Sequence, residues 1–402
     1  MDKLTIDTKH SIEELLRKIT SLKFSQADFT SLNFFLSKLN IKYVPKIITV
    51  TGTNGKGSTV AILSHILQYN HIDHIYHISP HIKSFNERIS YNQKDISDVT
   101  LLLYLDLIYE VCLQLKSRLP YHFVSFLCAW LYIQKKQPHW AILEVGVGGR
   151  LDSANLFDAD IAIITTVALD HCDILGNTIE QIALEKVHIA RPNRPLIIGD
   201  KIPKNALDYL NNIGTYIIKA NKKNNLDNPY IHPNSMACAL MAIEQLPEKL
   251  TIPPDLAKLS IVGRFQIVKK NPLTIADVAH NPQAARHLFK KIESFLHQTS
   301  KQRVIGLFIT NQHKDVISII QSGNKIIDLW LVPDLNAIDS RFFPMSNEQK
   351  QNIFPKKSIF FNNHIEAFDY VTHNTDNNDL VVIFGSFVLI GALNEYYDKK
   401  RN

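Results

Sequence analysis

Short runs of β-branched and aliphatic residues recur along the chain. Most lead into a longer stretch whose apolar positions repeat at helical spacing. The run 46–52 (KIITVTG) passes through a glycine-rich turn into 58–69, where Val60, Ile62, Leu63, Ile66 and Leu67 fall at helical intervals. The runs 141–149 and 161–169 are apolar almost without a break, as strands covered on both faces are. Further runs follow at 194–200 and 215–220. This repeated strand-then-helix order predicts an α/β chain with a mainly parallel sheet.

Between 221 and 262 the pattern changes. A polar loop opens at 221, a helical run covers 234–246, and Pro253 and Pro254 precede a short helix. From Val262-Gly263-Arg264 the alternation starts afresh, with runs at 273–280, 303–310, 326–334, 358–363 and 379–397. We therefore expect a domain of residues 1–262, a hinge at 263–265, and a smaller α/β domain of residues 266–402. The second has about 135 residues, close to the common domain size.

The strongest chemical signal lies between the run 46–52 and its helix: Thr51-Gly52-Thr53-Asn54-Gly55-Lys56-Gly57-Ser58-Thr59. A glycine-rich segment that ends a strand and opens a helix can curl its N–H groups around phosphate, with the helix start adding positive character. Lys56 reaches toward β and γ phosphates, and Ser58 or Thr59 can lie at a metal ion. Gly57 separates Lys56 from Ser58, so the spacing is not that of the general P-loop. Glu144 closes an apolar run just before glycines, where a carboxylate can hold Mg²⁺ beside the loop. His171 is read as ending the next run, and Asp277 and His280 as ending the first strand of the second domain. Asn234 and Ser79 read as helix caps. Lys186 has Ile182 and Ala183 one turn back and no acid at pairing distance, so spacing alone makes it a solvated surface lysine.

Composition changes little. The chain of 402 residues is 45% hydrophobic, enough for two cores, and its excess of 44 basic over 38 acidic residues is too slight and scattered for a nucleic-acid face. Cys112, Cys128, Cys172 and Cys238 show no CxxC spacing and read as free thiols of a reducing, cytoplasmic setting. The first ten residues carry charges where a signal peptide needs apolar ones, and no window of 18 apolar residues suggests a membrane span.

The loop TGTNGKGS resembles that of the Mur ligase superfamily, in its folylpolyglutamate synthase/dihydrofolate synthase branch. Other segments agree in order: Ser79-Pro80-His81 with Asn86-Glu87-Arg88-Ile89, 143–155 (LEVGVGGRLDSAN), Leu169-Asp170-His171 with Leu175-Gly176, and Glu185-Lys186 with Ile189. So do Gly263-Arg264-Phe265-Gln266, Asp277-Val278-Ala279-His280-Asn281-Pro282 and Gly385-Ser386-Phe387. The resemblance implies an N-terminal P-loop ATPase domain and a smaller Rossmann-like domain, with the site in the cleft they span. It implies ATP binding by Thr53, Asn54, Gly55, Lys56, Gly57, Ser58, Thr59, Asn234, Arg264 and Asp277. Ser79, Glu144 and His171 would be ligands of one or two Mg²⁺ ions. Leu151, Asp152 and Ser153 would contact substrate, with Lys56, Lys186 and His280 catalytic and Lys186 carbamylated. ATP, L-glutamate, dihydropteroate and reduced folates are the implied small molecules. A monovalent cation is a further implied cofactor, and a monomer the implied state.

Three segments differ from the family pattern: 28–32 (DFTSL), Tyr121-His122-Phe123-Val124-Ser125, and His313-Lys314-Asp315. The first two lie on the acceptor side in the family. A related ligase with another carboxylate acceptor, or a catalytically weak nucleotide-binding homologue, therefore stands beside the folate reading. A P-loop kinase or GTPase fits less well, since no guanine motif is present.

Overall fold

The computed structural model describes residues 8–221, 226, 228–297, 303–311, 313–342 and 346–401. Most of the polar loop expected from 221, and the last residue of the basic tail, lie outside them. The described residues divide into two compact units that part between 257 and 258, with 229–231 belonging to the second.

The first unit is built on a sheet ordered Tyr216–Lys219, Pro195–Ile198, Ile161–Ile164, Lys46–Thr51, Trp140–Glu144, His74–His77, Ile89–Tyr91 and Lys94–Asp95. The first six run parallel and the last two join antiparallel. Central strands carry side chains hidden on both faces: Ile47, Ile48, Val50 and all of Trp140–Glu144 are buried. The edge strand Tyr216–Lys219 is half exposed and ends in a lysine, which discourages pairing with another chain. From Lys46–Thr51 the chain goes out to His74–His77, returns to Trp140–Glu144 between them, then crosses to Ile161–Ile164 on the other side. The carboxyl end of Lys46–Thr51 thus lies where the strand order reverses, the place open α/β sheets reserve for ligands.

The helix Lys56–Tyr69 buries all five residues that its spacing singled out. It packs between the sheet and the helix Pro233–Ile243. The helix Tyr121–Lys136 is buried without interruption from Phe123 to Ile133, a stretch that is apolar on nearly every side.

Two strands are shorter than their apolar runs. The run 141–149 leaves the sheet at Glu144, where glycines begin, and 161–169 leaves it at Ile164. There Thr165 and Thr166 turn their hydroxyls to the glycine-rich loop. His171 consequently stands on the loop beyond the strand, with φ 51°, capping the short helix Cys172–Leu175. Neither Ser79 nor Asn234 is a cap: no helix begins at Ser79, and the helix Pro233–Ile243 is capped by His232, its Nδ1 accepting from the Asn234 N–H at 3.0 Å.

The second unit holds a sheet ordered Gln266–Lys270, Leu273–Asp277, Asp379–Phe384, Arg303–Phe308, Leu329–Pro333 and Ser358–Phe361, parallel except for its first pair. Gln266–Lys270 carries no buried residue, so it left no apolar run to read. Asp277 accordingly ends the second strand of this unit rather than the first. In the core Phe289 meets Phe384 and Phe308 meets Trp330 edge to face, and Trp330 lies tilted against Phe384. Arg303 donates through Nε at 2.8 Å and an Nη at 2.7 Å to the buried carboxylate of Asp379, pinning two neighbouring strands.

Candidate active site

The segment after Lys46–Thr51 curls back into the helix Lys56–Tyr69, and Gly55 caps it with φ 88°, a conformation that favours glycine. Lys56 Nζ donates to the Gly52 carbonyl at 2.9 Å, which holds the side chain over the loop. Thr59 Oγ1 donates to the Gly55 carbonyl at 3.0 Å, so Ser58 supplies the other hydroxyl of the first helical turn. The N–H groups of that turn lack partners within the helix and suit an anion.

Glu144 stands beside this turn. A Cβ added at Gly57 would lie 3.5 and 3.9 Å from its two carboxylate oxygens. Glu144 is 5% exposed, and its Oε2 accepts from the Ser79 N–H at 3.2 Å. The structure therefore brings Ser79 and Glu144 together at the loop, while His171 comes from the neighbouring segment. Among the described residues no three His, Cys, Asp or Glu side chains form a ready cation cage. A carboxylate and a hydroxyl completed by phosphate oxygens and water is the hard-oxygen set that Mg²⁺ takes, and these residues fit it.

The residues 146–155 fold over the helix Ile179–Val187. Gly149 leaves space for backbone: a Cβ there would meet the Glu185 carbonyl oxygen at 2.7 Å and that of Lys186 at 3.1 Å. Arg150 ties the same contact by an ion pair to Glu185 at 2.7 Å. Asp152 is buried, with Oδ2 accepting from the N–H groups of Gly146 and Val147 and Oδ1 from that of Ala154. Burial raises its carboxyl above the usual range, against those hydrogen bonds and the nearby His122. Ser153 is buried and Leu151 exposed.

Lys186 is not the solvated lysine its spacing suggested: it is 3% exposed. Burial first, and then the charge of Lys56, lower its amine to about 7, against the pull of Asp170 and Asp152. Those acids come from other segments, so helical spacing could not reveal them.

The helix Pro233–Ile243 buries Asn234, whose Nδ2 donates to the Gly199 carbonyl at 2.8 Å. Its Oδ1 is buried and has no hydrogen-bond partner among the described residues. In the second unit Asp277 accepts from the N–H groups of Phe265 and Ala279, both at 2.8 Å. Burial raises its carboxyl, opposed by Arg264 and Lys291. The Arg264 guanidinium lies 5.6 Å from the centre of the Phe387 ring, and the His280 ring 5.8 Å from it. His280 Nδ1 is bonded to the Val278 carbonyl at 2.8 Å. Sequence reasoning missed Thr165, Thr166, Ser235 and Lys291. The adjacent threonines at the end of an apolar run were the one available sign.

A strand-loop-helix phosphate site with a carboxylate at its flank, followed by a second α/β unit, defines a nucleotide-dependent ligase of the Mur type. Residues 263–387 match the model of the Mur ligase glutamate ligase domain. The chain is 30% identical over 384 residues to the dihydrofolate synthase/folylpolyglutamate synthase of Haemophilus influenzae, covering 86% of this chain and 87% of that one. E. coli FolC, solved with DHPP and ADP, superposes with a TM-score of 0.86 at 26% identity, over 97% of this chain and 98% of that one. A bifunctional folylpolyglutamate synthase/dihydrofolate synthase solved with Mn, AMPPNP and L-glutamate gives 0.84 at 26% identity, over 96% and 98%. The chain belongs to the dihydrofolate synthase/folylpolyglutamate synthase family.

Proposed function

We propose that this chain joins the carboxylate of a pteroate or folate to the amine of L-glutamate at the expense of ATP. A carboxylate is a poor acyl donor because oxide leaves poorly. Its oxygen attacks the γ-phosphorus of ATP, ADP departs, and an acyl phosphate forms. The glutamate amine then attacks the acyl carbon, the C–O bond to phosphate breaks, and the nitrogen gives up a proton as the amide forms.

The observation that carries this reading is the Glu144 carboxylate set against the phosphate loop at Gly57, with Lys56 over the loop. Loop N–H groups and Lys56 would stabilise the charge spreading over the transferred phosphoryl group. Glu144 and Ser79, with His171, would hold Mg²⁺, which when bound neutralises phosphate charge. Asn234 is assigned to the adenine end; the adenine amino group is a donor of the kind its Oδ1 lacks. Arg264 and Asp277 are assigned to ATP, and His280 to glutamate and phosphate. Leu151, Asp152 and Ser153 are assigned to the acceptor. Lys186, close to neutral in its buried setting, can add its amine to CO₂ and lose a proton, turning a cation into a carbamate.

We also assign a cytoplasmic setting, on cysteines scattered without CxxC spacing. We further assign the chain a monomeric state and a monovalent cation beside Mg²⁺. A second reading, a ligase with another carboxylate acceptor, draws on His122, whose charge is felt by the buried Asp152. The test is amide formation from ATP, Mg²⁺ and L-glutamate with dihydropteroate or tetrahydrofolate. Product with either supports the folate reading. Activity restricted to other carboxylates would transfer support to the second.

A further inference from the structure

The phosphate loop is shaped by hydroxyl groups that lie outside it. Thr165 Oγ1 donates to the Asn54 carbonyl at 2.6 Å. Thr166 Oγ1 donates to the same carbonyl at 3.1 Å and accepts from the Asn54 N–H at 2.9 Å. Ser235 Oγ donates to the Gly55 carbonyl at 3.1 Å. All three side chains are buried. Two of them also occupy the space where loop residues would carry a Cβ: one at Gly52 would lie 1.9 Å from Thr165 Oγ1, and one at Gly55 2.5 Å from Ser235 Oγ. Gly52 and Gly55 therefore serve the hydroxyls behind the loop as well as any anion in front.

A trans peptide points its N–H opposite to its C=O. Fixing the Asn54 carbonyl sets the direction of the Gly55 N–H, and fixing the Gly55 carbonyl sets that of the Lys56 N–H. We propose that Thr165, Thr166 and Ser235 are positioning residues that aim these two N–H groups at the outer phosphates of the nucleotide. None of them needs to touch ATP. Ser235 follows Asn234 on the same helix turn, so base and phosphate recognition share one rigid element.

The inference rests on the phosphate-loop reading, and nucleotide binding without folate or glutamate tests it separately from ligase activity. ADP and AMP are titrated against the wild-type chain and against Thr165→Ala, Thr165→Ser and Ser235→Ala. The alanine variants should bind ADP about tenfold more weakly while AMP, which lacks the outer phosphates, changes by less than about twofold. Thr165→Ser keeps the hydroxyl and should restore ADP binding. An equal fall for ADP and AMP, or unchanged ADP binding in both alanine variants, would overturn the proposal. A wild-type chain that binds no ADP would remove the loop reading itself and the inference with it.

Discussion

Lys186 is buried beside Lys56, and burial together with that second positive charge brings its amine down to about 7. An amine so placed is a nucleophile near neutrality, whereas a solvated lysine is almost wholly protonated there. In ¹³C-bicarbonate at pH 8 the wild-type chain should show a carbamate carbonyl resonance. Lys186→Met should lack it. A spectrum without that signal in the wild type would dismiss the carbamate.

Stability should carry the same signature in CO₂-free buffer. The folded amine has a lower pKa than the unfolded one, near 10.5. Between about 7 and 10.5 the unfolded chain therefore binds more protons, and stability rises with pH. Below that window the cost of burying the charge is present in full. Denaturant unfolding of wild type and Lys186→Met should show the wild type gaining on the variant from pH 7 to 10. A constant difference would mean that the amine titrates normally.

Glu144→Gln keeps shape and removes charge at the loop. Turnover should fall by about a hundredfold or more if, as proposed, this carboxylate holds Mg²⁺. ADP binding in EDTA should change little. Chelation of the wild type should stop turnover, and added Mg²⁺ should restore it. Near-normal Mg²⁺-dependent activity in Glu144→Gln would refute the metal role.

The loop glycines should separate by function. Gly55→Ala places a Cβ 2.5 Å from Ser235 Oγ at φ 88°, so we expect a loss of about 1–3 kcal/mol in unfolding free energy and weak ADP binding. Gly57→Ala meets only ordinary contacts in a helical turn, so its stability should match or exceed the wild type. Calorimetry of the two variants decides; equal destabilisation would show that the left-handed turn at Gly55 is not the constraint.

Much of this was legible in the residues. Apolar runs revealed the covered strands because parallel strands hide both faces, as Trp140–Glu144 does. Gln266–Lys270 was illegible because it buries nothing. The loop and Glu144 were legible as chemistry, since spacing and strand ends dictate where such residues stand, whereas Ser79 by itself read only as a cap and owed its metal role to the family resemblance. The burial of Lys186 was not: its environment is built by Lys56, Asp152 and Asp170, far away in sequence. The same holds for Thr165 and Ser235, ordinary hydroxyl residues until the fold sets them behind Asn54 and Gly55.

The coupling of ATP cleavage to amide formation with glutamate can be measured directly. Phosphate release should be followed with Mg²⁺-ATP and dihydropteroate or tetrahydrofolate, with and without L-glutamate. Sustained release should occur only when glutamate is present, with one amide formed per phosphate. Release that ignores glutamate, or none with either acceptor, would contradict it.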